Sequence, residues 1–138
     1  MSKLTIKAGL EQGRAAYAYQ CAQEGADLDK KKEYKSYVKK MPMLIKTNGL
    51  GAAVAFAFAK GAKNGSAQKS DPWGLLYKQL EQWIREKGTL GQLTENRLAE
   101  KLTGISSAEY RAATVEILAL LNWIKRFADA LIEGEAEG

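Results

Sequence analysis

Hydrophobic positions recur at intervals of three and four residues along nearly the whole chain, and strict alternation is scarce, so the pattern predicts helices separated by breakers. The first helix is expected from about Leu4 to Glu24, with Ile6, Leu10, Gly13, Tyr17 and Cys21 along one face. Gly25 should end it, and Asp27 or Asp29 should cap the next helix by accepting backbone N–H groups. That helix, about Lys30 to Lys40, sets Tyr34, Tyr37, Val38 and Met41 on one side and Lys31, Lys32, Lys35 and Lys39 on the other. Pro42 has no backbone N–H to donate, so a break or kink is expected at Met41, followed by a short helical turn to Thr47.

Beyond it, Asn48-Gly-Leu-Gly51 leads into an apolar helix, Leu50 to Lys60, whose five alanines suit a buried core position. Gly61 to Ser70 has the composition of a mobile surface loop. Asp71-Pro72 is a strong helix start, and Trp73, Leu76, Tyr77, Leu80 and Ile84 make a core stripe that Gly88 stops. A short helix is expected from about Thr94 to Leu102, closing at Gly104. Ser106 to Glu109 fits a capping box that opens a long helix to about Ile132. Between Val115 and Ile124 this last helix is apolar nearly all round, so it must be covered on more than one side. Tyr110, Thr114, Ile117, Leu118, Leu121, Ala128 and Leu131 form the expected inner face; Leu120, Trp123 and Phe127 fall outside it and are candidates for a protein contact. Glu133 to Gly138 should fray in solvent. The expected architecture is all-α, a single-domain bundle of about five to six helices over residues 1–138.

Composition narrows the chemistry. The 138 residues include no histidine and one cysteine, which excludes Ser-His-Asp and Cys-His catalysis, His-containing zinc sites and any internal disulfide. Cys21, at helical spacing from Tyr17, reads as a small core residue. Carboxylate-only metal or acid/base chemistry is unsupported, because the Asp and Glu residues are scattered on polar faces, as with Glu81 four residues before Arg85. No catalytic residue, metal or cofactor is expected. No apolar run approaches the roughly 18 to 20 residues of a membrane span, and no secretory pattern opens the chain, so a cytoplasmic protein with no membrane contact is expected.

Charge changes the picture most. From Lys30 to Lys69 there are ten lysines against the single Glu33, a net +9; the remainder carries eleven Lys/Arg against fifteen Asp/Glu, a net −4. The overall +5 is therefore one basic sector on a mildly acidic body, with no Asp or Glu between Tyr34 and Ser70. Such a sector suits a polyanion, although solvated lysines on an ordinary bundle would give a similar count.

Four blocks resemble a known family: Arg14-Ala-Ala-Tyr17-Ala-Tyr19, Tyr34 to Lys60, Trp73 to Trp83, and Tyr110 to Phe127. Lys40 to Gly51, with its Lys-x-Pro-x-x-Ile-x-x-Asn-Gly-Leu-Gly run, is the specific part. Together the blocks look like the small helical subunit of Cmr-type (type III-B) CRISPR effector complexes, RNA-guided assemblies that cut complementary RNA. The resemblance implies a non-enzymatic, all-helical subunit with other Cmr complex subunits, crRNA and target RNA as partners. It also implies stacking with copies of itself beside a backbone filament, leaving open whether the isolated protein is a monomer. In that family cleavage and nucleotide chemistry belong to other subunits. The RNA-facing candidates are Lys35, Lys39, Lys40, Lys46 and Lys60, joined by Arg14, Arg111, Lys125 and Arg126 at recognisable positions of the blocks. The alternative from another class is a free-standing helical nucleic-acid-binding protein, against which no segment pair reads as a helix-turn-helix.

Overall fold

The computed structural model describes residues 3–87, 90 and 98–134, with side chains from Gly9 onward. In these residues the periodicities become six helices and one small hairpin: α1 (Lys3–Ala26), α2 (Lys31–Asn48), α3 (Leu50–Gly61), β1 (Ala62–Lys63), β2 (Ser66–Ala67), α4 (Pro72–Lys87), α5 (Leu98–Lys101) and α6 (Ser107–Leu131). The fold is all-α, as expected. Helix α6 packs most extensively against α1 and also against α2, while α3 packs on α4 and α2. No described helix is long and apolar enough to cross a membrane.

Two helix starts follow their sequence signals. Ser106 Oγ accepts the Glu109 N–H at 3.2 Å while the Glu109 carboxylate accepts the Ser106 N–H at 3.3 Å, completing the capping box of α6. Asp71 Oδ1 accepts the Gly74 N–H at 3.0 Å and opens α4 behind Pro72.

Elsewhere tertiary packing overrides local signals. Helix α2 continues through Pro42 without a break, with Tyr34, Val38, Met41 and Ile45 buried on one continuous face. An interior proline costs about 3 kcal/mol; carrying the helix past it sets Ile45 on the stripe begun by Tyr34, Val38 and Met41, and that burial returns about 1.5 to 3 kcal/mol, offsetting most of the cost. Its N-cap is Lys30 with no side-chain cap bond, so neither Asp27 nor Asp29 has the expected role. Gly25 does not end α1 but lies inside it, where a Cβ would overlap the buried Tyr34 ring. The buried positions of α1 are Ala18, Cys21, Ala22 and Gly25, whereas Leu10 and Gly13, expected on the inner face, are exposed; Ile6 lies outside the described side chains.

The stretch expected as an irregular loop is a tight hairpin. Ala62 pairs with Ala67 and Lys63 with Ser66, and Asn64 (φ 54°) and Gly65 (φ 78°) both adopt the left-handed conformation that two-residue turns require. Helix α3 is buried on one face only, through Leu50, Ala53, Val54, Ala57 and Gly61, and packs on α4, α2 and α5. Ala52, Ala55, Phe56 and Ala59 are exposed. The expected helix start at Thr94, the stop at Gly88 and the last four residues of the acidic tail lie outside the described residues. The short α5 is held to α4: buried Glu81 accepts the Leu98 N–H at 3.0 Å, and the Tyr77 hydroxyl accepts the Ala99 N–H at 3.2 Å.

On α6 the buried positions are Ala113, Ile117, Leu120, Leu121, Ile124 and Ala128. Leu120 is thus a core residue rather than an outer one, because α1 shifts the covered arc towards its own side; Leu131, expected inside, is exposed.

Two polar ties cross the bundle. Gln79, buried in α4, donates to the Cys21 carbonyl oxygen at 3.0 Å and to Glu24 Oε1 at 3.1 Å; its own side-chain oxygen accepts the Tyr34 hydroxyl at 2.6 Å, and its carbonyl oxygen accepts Tyr17 at 2.6 Å. Every polar atom of this buried amide is therefore satisfied. The second tie joins α1, α6 and α4: Arg14 forms a two-pronged pair with Glu116 (Nε at 3.1 Å, Nη2 at 2.8 Å), and Trp83 Nε1–H donates to Glu116 Oε1 at 2.8 Å. The Arg14 hydrogen bonds hold the Glu116 carboxyl below its ordinary value of 4.5, helped by Trp83 and opposed by burial.

Two expected outcomes follow from these ties. Gly25→Ala should lower stability by about 1 to 3 kcal/mol through overpacking against Tyr34, read as a fall in melting temperature; an unchanged melt would refute the contact. Glu116→Gln should cost about 1 to 3 kcal/mol at neutral pH, from its charged hydrogen bonds. A carboxylate whose folded pKa is depressed stabilises above its unfolded value and loses that contribution as pH falls through the folded one. The gap between wild type and Glu116→Gln in urea titrations should accordingly close below about pH 4.5; a gap constant across that range would contradict it.

Candidate nucleic-acid interface

Helices α2 and α6 run antiparallel, which their side-chain contacts establish at both ends. Lys35 and Lys39 near the start of α2 meet the C-terminus of α6, and the Tyr110 hydroxyl near the start of α6 accepts the Gly51 N–H at 2.7 Å, just past the end of α2. Gly49, at φ 90°, makes the sharp link between α2 and α3 that brings Gly51 to Tyr110.

Lys32, Lys39 and Lys46 recur every seven residues, about two helical turns, and so line the outer side of α2. A shallow groove of about 410 Å³ runs along this ridge between Lys32, Lys35, Ser36, Lys39, Lys40 and the exposed Met43. On α6, Asp129 pairs with Lys39 at 3.1 Å. Lys125 lies one turn earlier and Arg111 about five turns earlier on that same side of the helix, and both are exposed. Lys39, Lys46, Lys125 and Arg111 therefore share one face, and of these only Lys39 has an ion-pair partner among the described residues.

Other candidates are placed differently. Lys35 Nζ donates to the carbonyl oxygens of Ile132 (2.9 Å) and Gly134 (3.0 Å) and stands 3.9 Å from Asp129, with its side chain only 11% exposed. Its positive charge closes the C-terminal end of α6, where the helix dipole is negative. Arg14 is held by Glu116, away from this face. Arg126 lies with its guanidinium 5.1 Å from the Trp123 ring centre, leaning towards the α1 side of α6. Lys40, which also borders the groove, reaches over the Tyr37 ring at the edge of α2, and Lys60 sits over Phe56 of α3. Asp129 was not legible as a member of this site, because it lies far along the chain from the lysines it meets. Lys32 was legible through its seven-residue spacing from Lys39.

Of the expected protein-contact residues, Trp123 and Phe127 are half-buried and stacked with ring centres 6.0 Å apart, and exposed Tyr19 of α1 meets Phe127 edge-on at 5.2 Å. Leu120 lies beneath them in the core.

A larger concavity, about 700 Å³ between α1 and α4, mixes Glu24, Asp27 and Glu86 with Lys69, Lys78 and Arg85 and so offers a polyanion no single sign of charge. Cys21 is buried, and loss of hydration raises its thiol pKa, which leaves it a poor nucleophile. No three His, Cys, Asp or Glu side chains among the described residues come together as metal donors.

The comparisons with known proteins agree with one another. A family model described as CRISPR-associated protein (Cas_Cmr5) matches residues 10–131. The CRISPR system Cmr subunit Cmr5 of Thermus thermophilus is 33% identical over 119 residues, covering 86% of this chain and 92% of that protein. The crystal structure of a CRISPR-associated Cmr5 family protein, also from Thermus thermophilus, has a TM-score of 0.63 and 31% identity, over 89% of this chain and 96% of that one. With its sequence matched from α1 to the end of α6 and its fold shared over nearly the same span, this chain belongs to the CRISPR-associated Cas_Cmr5 family.

Proposed function

We propose that this protein is the small, non-catalytic subunit of a type III-B (Cmr) CRISPR ribonucleoprotein, stacking along its backbone filament and holding the guide–target RNA duplex against the α2–α6 face. The observation that carries this reading is the one-sided row of Lys39, Lys46, Lys125 and Arg111, set on two antiparallel helices in a family whose Thermus member is named a Cmr subunit. Holding a duplex whose sequence is read by base pairing needs cations aimed at phosphates and no base-reading pocket. Two packed helices supply such cations at fixed spacing. Asp129 tempers the row by holding Lys39, so a phosphate must displace a carboxylate to reach that ammonium. Trp123, Phe127 and Tyr19, on the other flank of α6, are assigned to contact with a neighbouring subunit, because part-exposed aromatic clusters are enriched at interfaces.

In the assembled complex, the double variant Lys39→Glu/Lys46→Glu should weaken target-RNA binding without sequence preference and reduce the slope of log affinity against log salt by about two. Asp129→Asn should strengthen binding. Unchanged affinity and slope in filter-binding titrations across several salt concentrations would count against this face.

Trp123→Ser should leave the isolated protein folded, with a melting temperature within a few degrees of wild type, yet remove it from pull-downs of the other subunits, since truncating an interface anchor costs about 2 kcal/mol or more. A collapse of the melt, or normal recovery of the variant, would show that the ring serves the monomer alone.

A further inference from the structure

Around the edge of α2 from the main basic face, three aromatic side chains from three helices form a seam. Tyr37 of α2 stacks flat on Trp73 of α4, with ring centres 4.2 Å apart and planes at 9°. Phe56 of α3 meets the same indole edge-on at 5.2 Å and 89°. Trp73 is buried, whereas Phe56 leaves 41% of its surface in solvent, and Tyr37 is half-buried. An ammonium stands over each of the two outer rings: Lys40 Nζ is 5.7 Å from the Tyr37 centre and Lys60 Nζ is 5.7 Å from the Phe56 centre. No Asp or Glu occurs between Tyr34 and Ser70, and neither lysine forms an ion pair among the described residues.

Each element of this arrangement fits one kind of occupant. The buried indole fixes the orientation of both outer rings, so a planar ligand would find them already ordered. Cation–π contacts at exposed sites are weak, and flexible lysine stems can swing aside while their charges stay close. Lysine is depleted at protein–protein interfaces, which disfavours a protein partner on a surface bordered by two of them. Aromatic faces interleaved with cations are the means by which single-stranded nucleic acids are held: bases stack on the rings and phosphates meet the charges. A duplex cannot use such a seam, because its bases are stacked on one another.

We propose that the Tyr37–Trp73–Phe56 seam binds an unpaired nucleobase of a single-stranded nucleic acid, with Lys40 and Lys60 taking the phosphates on either side. This rests on the RNA-holding reading above and adds to it: a strand leaving the duplex on the α2–α6 face is caught at the edge of the same helix.

The test measures binding of the full-length protein to fluorescein-labelled single-stranded RNA, single-stranded DNA of the same sequence and an RNA duplex, by anisotropy at low salt, with heparin binding measured by competition. Phe56→Ala should lose at least about fivefold in affinity for single strands, Phe56→Tyr should retain it, and duplex and heparin binding should be unchanged, with thermal melts confirming that both variants are folded. A loss confined to RNA or to DNA would support the site and identify its source. Unaltered single-strand binding by Phe56→Ala, or an equal loss on duplex and heparin, would overturn the proposal. So would a variant that keeps single-strand affinity but drops out of the assembled complex, since the seam would then be a protein contact. Lys39→Glu/Lys46→Glu, run in parallel, probes the duplex face separately: failure there with success at Phe56 would sink the duplex reading and leave the stacking site standing.

Discussion

The structure depends on covering α6. Its buried positions, from Ala113 to Ala128, make one continuous apolar stripe, flanked by the half-buried Leu118, Trp123 and Phe127, while Val115 and Asn122 stay exposed. Helices α1 and α2 both pack on α6, and polar contacts fix how each lies. Arg14 and Trp83 meet on Glu116, Tyr110 receives the Gly51 N–H, and Lys35 closes the far end through the carbonyl oxygens of Ile132 and Gly134. The apolar stripe determines that the helices assemble; these directional contacts determine their register, since a shift of one turn would leave charged or backbone groups buried without partners.

The basic face is a by-product of that register. Helices α2 and α6 are laid antiparallel and bury Tyr34, Val38, Met41 and Ile45 of one and Ile117, Leu121 and Ile124 of the other in the same core, and their outward sides then carry Lys39, Lys46, Lys125 and Arg111 together. Rigidity comes from the core, so the charges need no pocket to hold them in place. Covering α6 also leaves Trp123 and Phe127 at the margin, where neither core nor water claims them fully. A single packing constraint thus positions both surfaces assigned to partners.

Helix existence, the two strong N-caps and the basic sector were legible in the sequence because they follow from spacing and local chemistry. What escaped it depends on azimuth and distance. Leu120 reads as an outer residue on a helical wheel, but the wheel does not record that α1 approaches from that side. Lys35 and Arg14 count as free cations until the fold brings Asp129, two carbonyl oxygens and Glu116 to them. The break or kink expected at Met41 ignored the value of setting Ile45 on the same buried stripe as Tyr34, Val38 and Met41. The hairpin is a different case: its Asn64-Gly65 signal was present, but the loop-like composition around it masked a two-residue turn.

The joint between α3 and α4 has consequences for how this fold can vary by descent. Gly61 and Gly74 meet backbone to backbone: a Cβ on either would overlap main-chain atoms, at Gly61 those of Trp73 and Gly74 and at Gly74 those of Gly61 and Gln68. A side chain that merely crowds another side chain can be accommodated by one compensating substitution, but here no side chain exists to shrink. An ancestor could have enlarged either position only by moving the whole hairpin and, with it, Trp73 and the ring of Phe56 that leans on it. Among proteins that keep this hairpin, the two positions should therefore be inherited as a pair of glycines, and a lineage that loses one should also show a hairpin of different length.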